Sequence, residues 1–127
     1  MKIYDSTYYS FELDGNYMIF HWKDSTDKMS LQDFKDALMN FAGYVIENQT
    51  LKLLVFTENF KFNTPEEGHE WRKNEYNSRI KKVGKVKQAL IMKEEFLQYV
   101  EDEIDSVVPV RYFSSESEAR AWLDTSE

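Results

Sequence analysis

Residues 8–22 read YYSFELDGNYMIFHW. Two aromatic-rich runs, in which apolar and polar residues largely alternate, flank Asp14-Gly15. Alternation at a period of two places successive side chains on opposite faces of a strand, and an Asp-Gly pair is a strong two-residue turn signal. The stretch predicts a β-hairpin. The chain that follows determines what kind of sheet the hairpin joins.

After a polar loop, KDSTDKM at 23–29, Ser30 has the position of a helix N-cap. Asp33, three residues on, stands in for the usual Glu of a capping box. Leu31, Phe34, Leu38, Phe41 and Val45 then recur at helical spacing, which predicts an amphipathic helix to about Asn48. LKLLVF at 51–56 is too short for a helix of that kind and reads as a buried strand. Thr64-Pro65-Glu66-Glu67 reads as the next helix start, with Thr64 as N-cap and Pro65 at the first helical position. That helix is expected to run to about Lys82. VKQALIM at 86–92 is a second buried strand, and EEFLQYVEDEI at 94–104 reads as a helix with Phe96, Leu97, Val100 and Ile104 on one side. VPVRYF at 108–113 is a strand. SSESEARAWL at 114–123 is a last helix, capped by Ser114 or Ser115, with Ala119, Trp122 and Leu123 inward.

The expected order is β-β-α-β-α-β-α-β-α. It implies an α/β domain spanning residues 1–127, with a single mixed sheet of about five strands and about four helices. The N-terminal hairpin is antiparallel, the later strands are parallel, and the first hairpin strand lies at an edge.

Composition bounds the function. A chain of 127 residues with 42% hydrophobic content is long enough for one real core. It has no cysteine, so disulfides, thiolate metal sites and thiol catalysis are excluded. A net charge of −7 argues against non-specific nucleic-acid binding. No stretch has the length of a signal-peptide core or a membrane span, and a cytoplasmic protein is expected. The charge is uneven. Residues 72–87 hold seven bases and one acid, whereas 94–105 hold six acids and no base. Such runs form solvated faces, and here they also make a dipolar surface that can orient a partner or a second copy.

The hairpin, the Trp22 that ends it, FKDALMNFA at 34–42, LLVF at 53–56, Phe60-x-Phe62 and the closing VRYFSSESEARAWL at 110–123 together resemble the SpoIIAA-like, or STAS-like, superfamily, in particular its small stand-alone bacterial proteins. The resemblance covers about residues 8–124. It implies a sheet of four or five strands with packed helices and a regulatory role through protein contacts. The best-understood members are antagonists of anti-sigma factors, switched by phosphorylation of a serine in an Asp-Ser context at the start of the helix after the third strand. The matching stretch here, ENFKFNTP at 58–65, has no serine, and its one hydroxyl is Thr64. The resemblance therefore implies the module without its phospho-switch. Other relatives of the fold bind lipids or small apolar molecules.

The stretch 57–71 leaves the carboxyl end of a central strand, where open α/β sheets bind ligands. Phe60 and Phe62 alternate with polar residues there. On a 100° wheel anchored by Tyr76, Ile80 and Val83, His69 and Arg72 fall near the inward stripe, and Trp71 falls roughly 140° away; the alternative is a helix that starts irregularly, with Trp71 packed normally. The candidate binding patch is thus Phe60, Phe62, Thr64, His69, Trp71 and Arg72. Glu66-x-x-His69 matches one arm of a di-iron site, but the second arm is missing, so the acids read as complements to the helix dipole. No catalytic, cofactor or metal residues are assigned. There is no nucleophile-histidine motif and no glycine-rich phosphate loop. Two readings follow. The first is a non-enzymatic interaction module with a protein partner or self-association. The alternative is a carrier or sensor of a small apolar or anionic ligand near the carboxyl ends of the central strands.

Overall fold

A computed structural model describes residues 1–125. Six strands form one sheet in sequential order: β1 (Lys2–Asp5), β2 (Tyr9–Asp14), β3 (Tyr17–Trp22), β4 (Lys52–Phe56), β5 (Lys87–Ile91) and β6 (Val110–Phe113). β1 to β3 are antiparallel neighbours, and β3 to β6 are parallel. The expectation of about five strands is corrected to six. KIYD at the N-terminus carries no clean alternation, so β1 was not readable on its own. It pairs with β2 through an irregular register and takes the edge position expected for the first hairpin strand.

The hairpin turn is one residue later than expected. Asp14 pairs with Tyr17, so the loop is Gly15-Asn16. Gly15 supplies the positive φ of 61°, the glycine-first arrangement that matches strand twist.

Helices cover both faces. α1 (Leu31–Asn48) starts with the reciprocal capping box, in which Asp33 N–H donates to Ser30 Oγ (3.1 Å) and Ser30 N–H donates to the Asp33 carboxylate (3.0 Å). Phe34, Ala37, Leu38, Phe41 and Val45 of α1 pack on Phe11, Phe20, Leu53 and Val55 of the sheet. The opposite face carries Ile19, Leu54, Ala89 and Ile91, covered by Ala119 and Leu123 of α4 (Glu116–Leu123). The strands between two helix layers read as apolar runs for this reason. Ser115 is the α4 cap, accepting from Glu118 N–H.

Between β4 and β5 the helix is not uniform. α2 (Glu66–Trp71) passes into a π-helical turn at Arg72–Tyr76, then α3 (Asn77–Ile80) and a 3₁₀ turn at Lys81–Val83. The Asn77 N–H bonds Arg72 C=O, five residues back. Thr64 is not the N-cap. Pro65 holds that position without a side-chain cap bond.

The helix expected at 94–104 is a 3₁₀ turn, Glu94–Tyr99, followed by a loop. β6 competes for this segment. As an edge strand it has backbone groups to satisfy. Asp102 accepts from Tyr112 N–H (3.0 Å) and from Arg111 Nε (3.2 Å), and Glu103 exchanges backbone bonds with Val110 in both directions (2.8 and 3.1 Å). Those bonds hold the chain extended where a helix was expected.

Candidate functional site

A cavity of about 430 Å³ opens at the carboxyl ends of β3 to β6. The sheet supplies its floor: Phe20 and Trp22 from β3, Val55 from β4, Gln88 and Leu90 from β5 with Met92 just beyond, and Tyr112 from β6. Phe34 and Leu38 of α1 form one wall. Arg72 and Tyr76, the two ends of the π turn, form another. Phe60 and Thr64 from the loop after β4, and Phe96 and Val100 after β5, close the mouth. The volume falls in the usual range of small-molecule sites, and the location is where open α/β sheets place them.

The walls are mostly aromatic and aliphatic. Trp22 and Phe60 meet at 4.7 Å between ring centroids, and Phe20 and Trp22 at 4.3 Å. The polar groups are few and placed. Tyr76 Oη donates to Gln88 Oε1 at 2.9 Å, both residues being buried. Burial pushes the Tyr76 phenol far above its ordinary range, with a small opposing pull from Arg72. Tyr112 is raised for the same reason. Arg72 Nη2 contacts both carboxylate oxygens of Glu103, at 3.1 and 3.4 Å. Their side chains are only 15% and 22% exposed. Thr57 Oγ1 donates to Ile91 C=O at 2.8 Å, tying the two central strand ends together.

The π turn accounts for the geometry. In it, residues five apart overlie one another, so a wheel counted at 100° per residue loses phase on crossing it. Trp71 is therefore turned toward the core. It is half-buried against the core, with Lys35 Nζ 5.8 Å from its ring centroid. The wheel had placed it outside. His69 lines the cavity mouth but is exposed, so its inward lean is slight. Arg72 points inward, as the wheel had it. π turns of this kind occur often at functional sites.

The structure thus brings Phe60, Thr64, His69 and Arg72 to one cavity. Phe62 and Trp71 stand behind it. Phe62 packs on Phe34 (5.8 Å) and Phe60 (6.3 Å), so neither phenylalanine is a free surface ring. Sequence reasoning missed Trp22, Tyr76, Gln88, Leu90 and Tyr112 as cavity residues. Each sits on a strand or helix face that reads simply as core. The one available signal was position: Trp22, Leu90 and Tyr112 lie near the carboxyl ends of their strands.

A model of the SpoIIAA-like family matches residues 20–124. The chain belongs to the SpoIIAA-like family. Searches of curated proteins and of solved structures returned no match. Members of the SpoIIAA-like family are generally non-enzymatic binding or regulatory domains, and the mixed sheet with four helices fits that fold. Glu58, Phe60 and Thr64, from the segment after β4, line the cavity. Thr64 there is half-buried. Its Cγ2 would lie 2.9 Å from a Cβ built on Gly68, so its methyl is pressed against the helix start. Among the described residues no helix is long and apolar enough to cross a membrane, and no cluster of His, Cys, Asp and Glu has the geometry of a metal site.

Proposed function

We propose that this SpoIIAA-like domain is a regulatory module that responds to a small, mainly apolar ligand. The observation that carries this reading is the cavity. Its aromatic walls from β3 and α1, together with few polar groups, match a site that binds by burial and orients by one or two polar contacts. A module acting through protein contacts alone has no need of a space of this size below the sheet ends.

The protein-partner reading is retained as the output of the same module, on a second observation. The segment after β5 presents Phe96 (49% exposed), Tyr99 (77%), Ile104 and Val107 to solvent among the acids of 94–105. Large exposed apolar groups that cluster mark contact surfaces. Phe96 also lines the cavity, so one residue touches both the ligand site and the surface.

The test is uptake of 8-anilinonaphthalene-1-sulfonate, whose emission rises in an apolar site. The wild-type chain is expected to bind it saturably, and Leu90→Trp, which puts an indole ring into the cavity, is expected to lose that binding while keeping its unfolding free energy, measured in urea, within about 3 kcal/mol of wild type. Equal binding by a folded Leu90→Trp variant would place the dye elsewhere and contradict the reading.

A further inference from the structure

We infer that the ligand carries a carboxylate, that Arg72 is the residue that recognises it, and that Glu103 occupies Arg72 until the ligand exchanges with it. The inference rests on the cavity reading above and adds the polar half of the ligand.

Arg72 is set apart from the other charges near the cavity. Glu58, His69 and Lys93 also line it, but all three are exposed at its rim, where water screens them. Arg72 leaves from the first position of the π turn into the wall, with 15% of its side chain exposed. Burying a guanidinium there costs free energy unless an anion faces it. Glu103 is that anion. It reaches Arg72 from a loop on the far side, after β5, and only through Nη2. An arginine fork offers donors for a two-pronged carboxylate contact. Among the described residues Nη1 and Nε have no hydrogen-bond partner, and neither is a sealed-off buried group. The fork is therefore incompletely used.

Glu103 is placed to give way. Its backbone is pinned to Val110 by two bonds, so the side chain can turn outward to solvent without any change in the chain path. Exchange then swaps one carboxylate for another at Arg72, with no net charge buried. The ligand gains a fork contact at one end, and its apolar body lies against Trp22, Phe34 and Leu90. A phosphate is less well served, since one arginine with no glycine-rich loop offers a fork and not a cradle.

The experiment uses a matched pair of probes, octanoate and octan-1-ol, titrated calorimetrically into the full chain at neutral pH. Wild type should bind octanoate about tenfold or more tightly than the alcohol, the size of a charge-assisted contact. Arg72→Met should bring that ratio to about one by weakening octanoate alone, and its retained alcohol binding reports that it is folded. Glu103→Gln should tighten octanoate several-fold and leave the alcohol unchanged, because the internal competitor has lost its charge. A wild-type ratio near one, or an Arg72→Met variant that keeps the wild-type circular-dichroism spectrum and cooperative urea unfolding yet weakens both probes equally, would overturn the carboxylate assignment and leave the cavity standing. An unchanged octanoate affinity in Glu103→Gln would overturn the exchange. If neither probe binds wild type, the cavity reading itself falls, and this inference with it.

Discussion

Tyr76 is the residue through which the core and the cavity wall are joined, and its hydroxyl gives the sharpest stability prediction. It closes the π turn, is 1% exposed, and donates to Gln88 Oε1 at 2.9 Å on β5. Tyr76→Phe keeps the ring and removes the donor. The partner acceptor then stays buried without it, at a cost of about 1–3 kcal/mol, more than the net value of an ordinary hydrogen bond. Tyr76→Phe/Gln88→Leu removes both polar groups and should recover much of that loss. Urea unfolding of the four chains of the cycle measures the coupling. A second arm uses pH. Burial raises the folded pKa of Tyr76 well above the ordinary tyrosine value of about 10. A group whose folded pKa is raised stabilises fully below its unfolded pKa and loses that contribution as pH rises through the window above it. Stability should therefore fall above about pH 10, where an unfolded tyrosine releases its proton. Tyr9, Tyr17 and Tyr112 are also raised and contribute to the same slope. Tyr76→Phe should make the slope shallower without abolishing it. A variant as stable as wild type at pH 7, or one with an undiminished alkaline slope, would refute the buried donor–acceptor pair.

Other substitutions test the elements around the site. Ser30→Ala removes half of the capping box of α1 and should cost about 1 kcal/mol in thermal or urea unfolding. Gly43→Ala should stabilise by about 0.5–1 kcal/mol, since the position lies inside α1, is exposed, and has nothing within 4 Å of a new Cβ. Gly68→Ala should show no such gain, because its Cβ would meet Thr64 Cγ2 at 2.9 Å and Leu31 Cδ1 at 3.1 Å. The two alanine variants, measured side by side by urea unfolding, separate helix propensity from packing. Trp71→Ala should destabilise by about 1–2 kcal/mol, less than the roughly 3–5 kcal/mol of a fully buried aromatic, because the ring is half-buried. A loss near zero in thermal unfolding would return Trp71 to the surface.

Local rules reached the hairpin, α1 with its capping box, the parallel strands β4 to β6 and α4, because each combines a clear period with a boundary residue such as Gly15, Ser30 or Ser115. They failed where tertiary contacts overrode the local pattern. β1 has four residues and an irregular register, so its pairing depends on β2 and not on its own pattern. The 94–104 segment carries helical spacing, yet Asp102 and Glu103 are worth more as partners of the β6 edge than as helix residues. The site was half readable for one reason. Arg72 through Tyr76 form a π turn, and nothing in RKNEY announces it. Counting at 3.6 residues per turn across that point swaps the positions of Trp71 and its neighbours. Arg72 was found, the two readings of Trp71 are settled for the packed one with an irregular helix, and the sheet residues of the cavity were hidden among core residues of the same kind.

The cavity is read as a ligand site. The most direct measurement is native mass spectrometry of the freshly purified chain, compared with its denatured mass. A mass excess that disappears on denaturation is expected, or a stoichiometric adduct once octanoate is added to apo protein. A clean apo mass that takes up neither octanoate nor octan-1-ol would contradict it, and would leave the exposed Phe96–Val107 surface as the site to pursue.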